Sequence, residues 1–210
     1  MAKPVCIIPA RIGSKGVSNK NIRLIAGKPL IYYTIKSALE SKIFSHVIVS
    51  TEDKKIASIA KKCGAEVPFM RPKNLATDNT AMEPVLLHAI KKLNSLGIDF
   101  EIFVYRDCTC PFIDEHDITG AVELLKKSDC YSICGSVKAH PSPYFAMWEP
   151  NKDGFLEISK TTNKIINRRQ DAPTVYITDG MFVFWTKKFL KVRKCQSGKM
   201  LPYEISKEHG

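Results

Sequence analysis

The amino-acid sequence predicts an α/β fold: a mostly parallel sheet with helices on both faces, three layers in all, formed by one domain of 210 residues. Three observations carry this. Short apolar, β-branched runs at Val5–Ile8, His46–Thr51 and Phe100–Tyr105 alternate with helical stretches. Residues Thr80–Leu96 place Val85, Leu86, Ala89, Ile90 and Leu93 at a period of about 3.6, the signature of a helix with one buried face. The first apolar run ends in a glycine-rich basic loop, at the strand end where open α/β sheets bind ligands.

The elements follow in order. Strand one is Val5–Pro9. Lys28-Pro29 opens a helix that runs to about Ser41, because proline suits a first helical turn. His46–Thr51 is a strand, and Asp53–Lys62 is a helix stopped by Cys63-Gly64. Glu66–Met70 reads as a short strand. The helix Thr80–Leu96 stops at Gly97. Phe100–Tyr105 is a strand, and Asp114–Lys127 is a helix whose first turn is acidic, which favours the helix dipole. Tyr131–Lys138 is the next strand. Then the pattern changes. His140–Glu149 holds two prolines and three aromatics, and Asn151-Lys152-Asp153-Gly154 is a turn between two short β segments. Residues 139–175 therefore read as a β-rich excursion, closed by a last strand over Val175–Thr186.

Composition narrows the function classes. The net charge is +11, from 32 basic and 21 acidic residues. The lysines are dispersed in pairs, Lys54-Lys55, Lys61-Lys62, Lys91-Lys92 and Lys126-Lys127, at helical positions that face solvent. No nucleic-acid motif with interleaved aromatics accompanies them, so nucleic acid is not an expected partner. No apolar run approaches the roughly 20 residues of a membrane span, and the N-terminus lacks a signal-peptide core, so a cytoplasmic location is expected. The seven cysteines are odd in number and lie in apolar contexts, as reduced, buried hydrophobes do. Cys108-Thr-Cys110 and Cys130-x-x-x-Cys134 lack the paired spacing of a zinc site.

The loop after strand one carries the chemistry. Arg11, Lys15 and Lys20 follow the strand, with Gly13 and Gly16 among them. Glycines let backbone N–H groups approach an anion, and the cations neutralise it. The loop is neither a G-x-x-x-x-G-K-[ST] nor a G-x-G-x-x-G phosphate motif, and a solvated basic turn is the alternative reading.

This stretch, Val-Cys-Ile-Ile-Pro-Ala-Arg-Ile-Gly-Ser-Lys-Gly-Val-Ser-Asn-Lys-Asn, resembles the N-terminal signature of the acylneuraminate cytidylyltransferases. Further blocks resemble the same family in order: Phe69–Asp78 (an R-P-x-x-L-A-x-D segment), His140-Pro141, Arg168–Pro173 and Tyr176–Gly180. The first and fourth blocks are the specific ones. The resemblance implies a nucleotide-diphospho-sugar-transferase-like domain whose excursion at about 139–175 makes a homodimer and reaches into the partner's site. It implies transfer of CMP from CTP to a nine-carbon sugar acid. By the same resemblance, Arg11 and Lys20 clamp the triphosphate, with Ala10, Ser14, Lys15 and Asn21 lining the nucleotide. Arg71 offers its fork to the cytosine carbonyl, Thr80 completes the base pocket, and Asp78 is divided between helix capping and site support. Arg168, Arg169 and Gln170 receive the acid, with Tyr176 and Asp179 lining the acceptor.

The departures from that family are specific. Asp107-Cys108-Thr109-Cys110-Pro111-Phe112-Ile113 stands where Q-P-T-S-P-L-R is usual, so Asp107 replaces an amide and Ile113 an arginine. Asp179 replaces an asparagine. These carboxylates point to an amino- or acetamidino-bearing acceptor. The family's I-D-I-D metal segment has no counterpart before Gly210, so the end of the domain is expected to be missing, and Mg²⁺ ligands are expected mainly beyond Gly210. Two readings stay open beside the main one: transfer to an eight-carbon sugar acid or a phosphonate, and a silent nucleotide-binding subunit.

Overall fold

The structure, a computed structural model, describes residues 2–13 and 16–206, with the side chain of Asp179 excepted. Ser14 and Lys15 lie outside the described residues. The elements are β1 (Val5–Pro9), β2 (Leu24–Ile25), β3 (Lys28–Pro29), α1 (Leu30–Glu40), β4 (His46–Ser50), α2 (Lys54–Lys62), α3 (Met82–Ser95), β5 (Ile102–Arg106), α4 (Glu115–Lys127), β6 (Ser132–Lys138), β7 (Trp148–Pro150), β8 (Leu156–Ile158), β9 (Tyr176–Trp185), α5 (Thr186–Val192) and β10 (Met200–Glu204). The main sheet has the order β10-β6-β9-β5-β1-β4. β1 pairs in parallel with β4 and β5, and β10 with β6. β9 alone among these strands runs against its neighbours.

Alternation along β1 shows why there are three layers. Val5 and Ile7 point to one face, where they pack with Leu86, Ile90 and Leu93 of α3 and Phe189 of α5. Cys6 and Ile8 point to the other, against Ile31 and Ile35 of α1 and Ile56 of α2. On that same side Ile118, Val122 and Leu125 of α4 cover β5 and β9 through Val104 and Val183. Each fully buried Leu, Ile or Phe contributes about 1.5–3 kcal/mol, so these two apolar layers dominate stability.

Local signals set the helix ends. Asp53 Oδ1 accepts the N–H of Ile56 at 2.8 Å and starts α2, and Gly64, at φ 95°, takes the chain out of it. Asp114 Oδ1 accepts from the N–H groups of His116 and Asp117 at 2.9 Å, while Asp117 Oδ2 accepts from Asp114 N–H at 3.3 Å: a capping box. The paired lysines of α2, α3 and α4 are exposed, as their spacing predicts.

Several expectations are corrected. α1 starts at Leu30, because Lys28–Pro29 pairs with Leu24–Ile25 in a small hairpin, and Pro29 is the N-cap. Glu66–Met70 forms no strand; it makes one parallel bridge, Ile48↔Glu66, in which Glu66 N–H donates to Val47 O and Val49 N–H to Glu66 O. α3 starts at Met82, not Thr80, whose hydroxyl folds back onto Thr77 at 2.7 Å. α5 and β10 were not foreseen. α5 has seven residues, too few to display a period, and β10 carries Pro202, which reads against a strand. The proline is tolerated because β10 is an edge strand.

Residues 139–175 leave the main sheet between β6 and β9. Their two ends are held together at Ala139 N–H, which donates to Val175 O at 2.7 Å. β7 and β8 form a separate antiparallel pair. Trp148, Phe155, Leu156 and Ile165 are 56, 71, 66 and 90% exposed.

Candidate nucleotide and acceptor site

The carboxyl ends of β1, β4 and β5 open into a cavity of about 590 Å³. Arg11, Lys20, Asn21, Arg71, Thr80 and Asp107 all line it, together with Gly16 and Asp78. The sequence distributes these residues over 97 positions; the parallel order β4-β1-β5 brings them to one mouth.

Three consecutive residues at the carboxyl end of β4, Ser50 to Glu52, hold the cavity's walls. Ser50 O accepts from Ala10 N–H at 3.0 Å, and Thr51 O accepts from Arg71 N–H at 2.8 Å. Glu52 then divides its carboxylate: Oε1 accepts from Ile12 N–H at 2.9 Å and Oε2 from Arg71 Nη2 at 2.7 Å. Ala10 is thus buried in strand pairing, with its N–H engaged. Asn21 is also turned inward, its Nδ2 donating to Arg11 O at 2.9 Å, so its amide closes the phosphate loop. Nothing in the sequence marked Glu52, since a carboxylate before a helix reads as ordinary solvation.

Each cation is differently placed. Arg11 Nη1 pairs with Asp78 Oδ1 at 2.6 Å, with both side chains about one-third exposed. Arg71 is 5% exposed, and its Nε is buried without a hydrogen-bond partner. An orphaned buried donor is destabilising by about 1–3 kcal/mol until an acceptor meets it. Lys20 lines the cavity with no ion pair among the described residues. Behind Arg71, His88 packs edge-on to Phe69 at 5.4 Å. Burial first, then Lys92 and Arg71, hold its protonation below 6.5, so it is a neutral ring at pH 7.

A second cavity, about 730 Å³, adjoins the first across Met82, which lines both. Its walls include Glu83, Tyr105, Phe182, Arg193, Lys194 and Cys195. Glu83 Oε1 accepts from Cys195 N–H at 3.0 Å and ties α3 to the segment after α5. Burial, then Glu83, pushes the Cys195 thiol up to about 12, so it stays protonated. Asp107 lines the first cavity and is linked to the second through Tyr105. Its Oδ1 accepts from Thr109 N–H at 3.1 Å, and its Oδ2 from the Tyr105 hydroxyl at 3.3 Å. Asp107 N–H donates to Gly180 O at 2.9 Å. Gly180 has φ 68°, and a Cβ there would lie 2.5 Å from Cys110 Cβ, so only glycine fits behind the loop. Arg193 and Lys194 escaped sequence analysis because they follow α5, itself unforeseen, and Glu83 because its partner Cys195 lies 112 residues on.

The remaining expected residues sit elsewhere. Arg168 pairs with Asp171 through two hydrogen bonds of 2.9 and 3.2 Å. Arg169 contacts His140 Nε2 and lines a separate hollow of about 280 Å³ with Lys138 and Pro173. Gln170 is exposed beside them. Tyr176 begins β9 opposite Lys138, and Asp179 lies in β9 with its side chain outside the described residues. In one chain these residues do not join the nucleotide cavity.

The described residues do not complete a Mg²⁺ site. No cluster of three or more His, Cys, Asp or Glu is found among them, and of the two aspartates lining the nucleotide cavity Asp78 is engaged by Arg11. No helix among them is long and apolar enough to cross a membrane.

Comparison with known proteins bears directly on this geometry. The sequence profile of the family described as Cytidylyltransferase matches residues 5–209. The chain is 34% identical to the post-translational flagellin modification protein B of Campylobacter coli, over 95% of this chain and 84% of that protein. It is 35% identical to the CMP-N,N'-diacetyllegionaminic acid synthase of Campylobacter jejuni over the same shares. It is 33% identical to the pseudaminic acid cytidylyltransferase of that organism, over 89% of this chain and 79% of the relative. Among solved structures, a CMP:2-keto-3-deoxy-manno-octonic acid synthetase complexed with CTP superposes with a TM-score of 0.71 at 15% identity, covering 97% of this chain and 90% of that one. At that identity the likeness concerns the fold.

Proposed function

The chain belongs to the cytidylyltransferase family, and we propose that it transfers CMP from CTP to the anomeric hydroxyl of a sialic-acid-like nine-carbon sugar acid, releasing pyrophosphate. The observation that carries this reading is one cavity gathering Arg11, Lys20, Arg71 and Asp107 beside a second, roomier one, whose Tyr105 donates to Asp107. Arg11 and Lys20 hold the triphosphate, Arg11 exchanging Asp78 for phosphate oxygens. Arg71 meets the cytosine carbonyl, which satisfies a donor the protein leaves open. The acceptor hydroxyl attacks the α-phosphorus, a P–O bond forms, the bond to the α,β-bridging oxygen breaks, and pyrophosphate leaves with the electron pair. The hydroxyl proton passes to Asp107. Positioning and fixed charge supply most of the rate.

Relatives named for legionaminic and pseudaminic acids support a nine-carbon acid rather than an eight-carbon one. The acid end of the acceptor meets Arg168, Arg169 and Gln170, with Tyr176 and Asp179 beside it, delivered by the excursion of a second protomer in a homodimer. The exposed Trp148, Phe155, Leu156 and Ile165 support that pairing. Mg²⁺, for which the described residues hold no full ligand set, and a cytoplasmic location belong to the same proposal.

The deciding experiment measures pyrophosphate release from CTP, UTP and ATP with a panel of eight- and nine-carbon sugar acids, with Mg²⁺ and with EDTA. CMP-sugar formed from CTP and a nine-carbon acid, and lost in EDTA, is the expected result. Turnover with UTP as fast as with CTP would overturn the base assignment.

A further inference from the structure

We infer that Glu52 is a positioning residue that couples the two ends of the nucleotide cavity, setting the grip on the base carbonyl through Arg71 and loop order through the N–H of Ile12. The inference rests on the cytidylyl reading above. Glu52 touches no acceptor or phosphate in this reading; it acts through its two partners. Its side chain is 9% exposed and that of Arg71 3%, so the pair is sheltered from solvent, where a charge without a partner is strongly disfavoured.

The geometry divides the labour. Backbone bonds from Ser50 and Thr51 fix the chain paths at Ala10 and Arg71. They leave the far end of the Arg71 side chain and the turn at Ile12 unfixed. Glu52 fixes both with one rigid, planar group: Oε1 on Ile12 N–H at 2.9 Å, Oε2 on Arg71 Nη2 at 2.7 Å. Ile12 adjoins Arg11, which points to the phosphates, while Arg71 reads the base. A guanidinium held at Nη2 cannot swing, so its remaining donors face one direction, and its open Nε belongs to that arrangement. Each end of the nucleotide therefore closes on groups that share a carboxylate.

Substitution can separate the two arms. In Glu52→Gln the amide oxygen still accepts from Ile12 N–H, while the –NH₂ opposes the Arg71 donors. Glu52→Ala removes both arms. Glu52→Asp keeps the charge but is one methylene too short to span both partners. Calorimetry with CTP, UTP and inorganic pyrophosphate, alongside thermal midpoints, reads the result. For Glu52→Gln, CTP and UTP affinities should each fall about tenfold, with pyrophosphate affinity within about twofold of the parent. Glu52→Ala should lose pyrophosphate affinity as well, and Glu52→Asp should lie between. If Glu52→Gln binds CTP as tightly as the parent does, the coupling is refuted while the cytidylyl reading stands. A uniform loss for all three ligands, tracking a lowered thermal midpoint in every variant, would make Glu52 merely structural and also overturn the inference. A parent chain binding CTP and UTP equally would instead sink the cytidylyl reading, and the inference with it.

Discussion

The nucleotide cavity and the excursion at residues 139–175 are built on opposite plans. Around the cavity, cations are buried or half-buried and engaged across long sequence distances: Arg71 with Glu52, Arg11 with Asp78. In the excursion, the arginines pair within the segment itself, Arg168 with Asp171 and Arg169 with His140, and the large apolar side chains face outward. Interior packing fixes the first region within a single chain. The second has too little buried surface to fix itself, as expected of a segment that is completed by another molecule. One half of the proposed site is thus preorganised, and the other awaits assembly.

This contrast is open to direct attack. The largest expected effect comes from the cavity. Arg11→Ala and Lys20→Ala should each lower kcat/KM by about 10²–10³, the scale for losing one preorganised electrostatic group, while thermal midpoints stay near the parent's. A mutant that unfolds well below the parent, yet stays active when folded, would mark that residue as structural. Next, Arg71→Ala should weaken CTP binding by about 10- to 100-fold, since the base carbonyl then loses its buried, charged donor, while the CTP-over-UTP preference holds because uracil carries the same carbonyl. CTP affinity equal in mutant and parent would remove Arg71 from the base pocket.

The excursion should respond differently. Phe155→Asp and Leu156→Asp sit on exposed positions, so monomer stability should change by no more than about 0.5 kcal/mol. Sedimentation should show weakened self-association, and turnover should fall with it while CTP affinity holds. A monomeric parent of full activity would break the contrast outright.

The smallest effect is a pH slope from His88. The unfolded chain protonates this ring near 6.5, whereas burial, Lys92 and Arg71 keep the folded ring neutral to lower pH. Between those values unfolding takes up a proton, so stability falls as pH drops from about 6.5 through the folded value, and is fully present above it. In His88→Phe, which keeps the ring contact with Phe69, that part of the slope in thermal midpoint from pH 7.5 to 5.5 should disappear. An unchanged slope would place the effect on other groups.

How much of this was legible in the sequence follows physical lines. β1, α2 and α4 were readable to within a residue or two because their signals are local: a β-branched run, an Asp cap, a glycine stop. Arg11, Lys20 and Arg71 stood out through residue type and resemblance. Glu52, Glu83 and Arg193 did not, because their significance arises from contacts 19 to 112 residues away, visible only once the sheet order is set. Glu66–Met70 misled for the reverse reason: its apolar residues suit a strand, yet the chain leaves β4 after one bridge to carry Arg71 toward the cavity.

Both margins of the main sheet are closed to further strands. On one side β10 presents Pro202, which cannot donate to a ladder. On the other, Glu66 already occupies the donor of Val49 and the acceptor of Val47. Strand-by-strand polymerisation, the ordinary hazard of an open sheet, is thereby blunted at each end. A chain with its sheet so guarded exposes an apolar excursion without offering its backbone to aggregation.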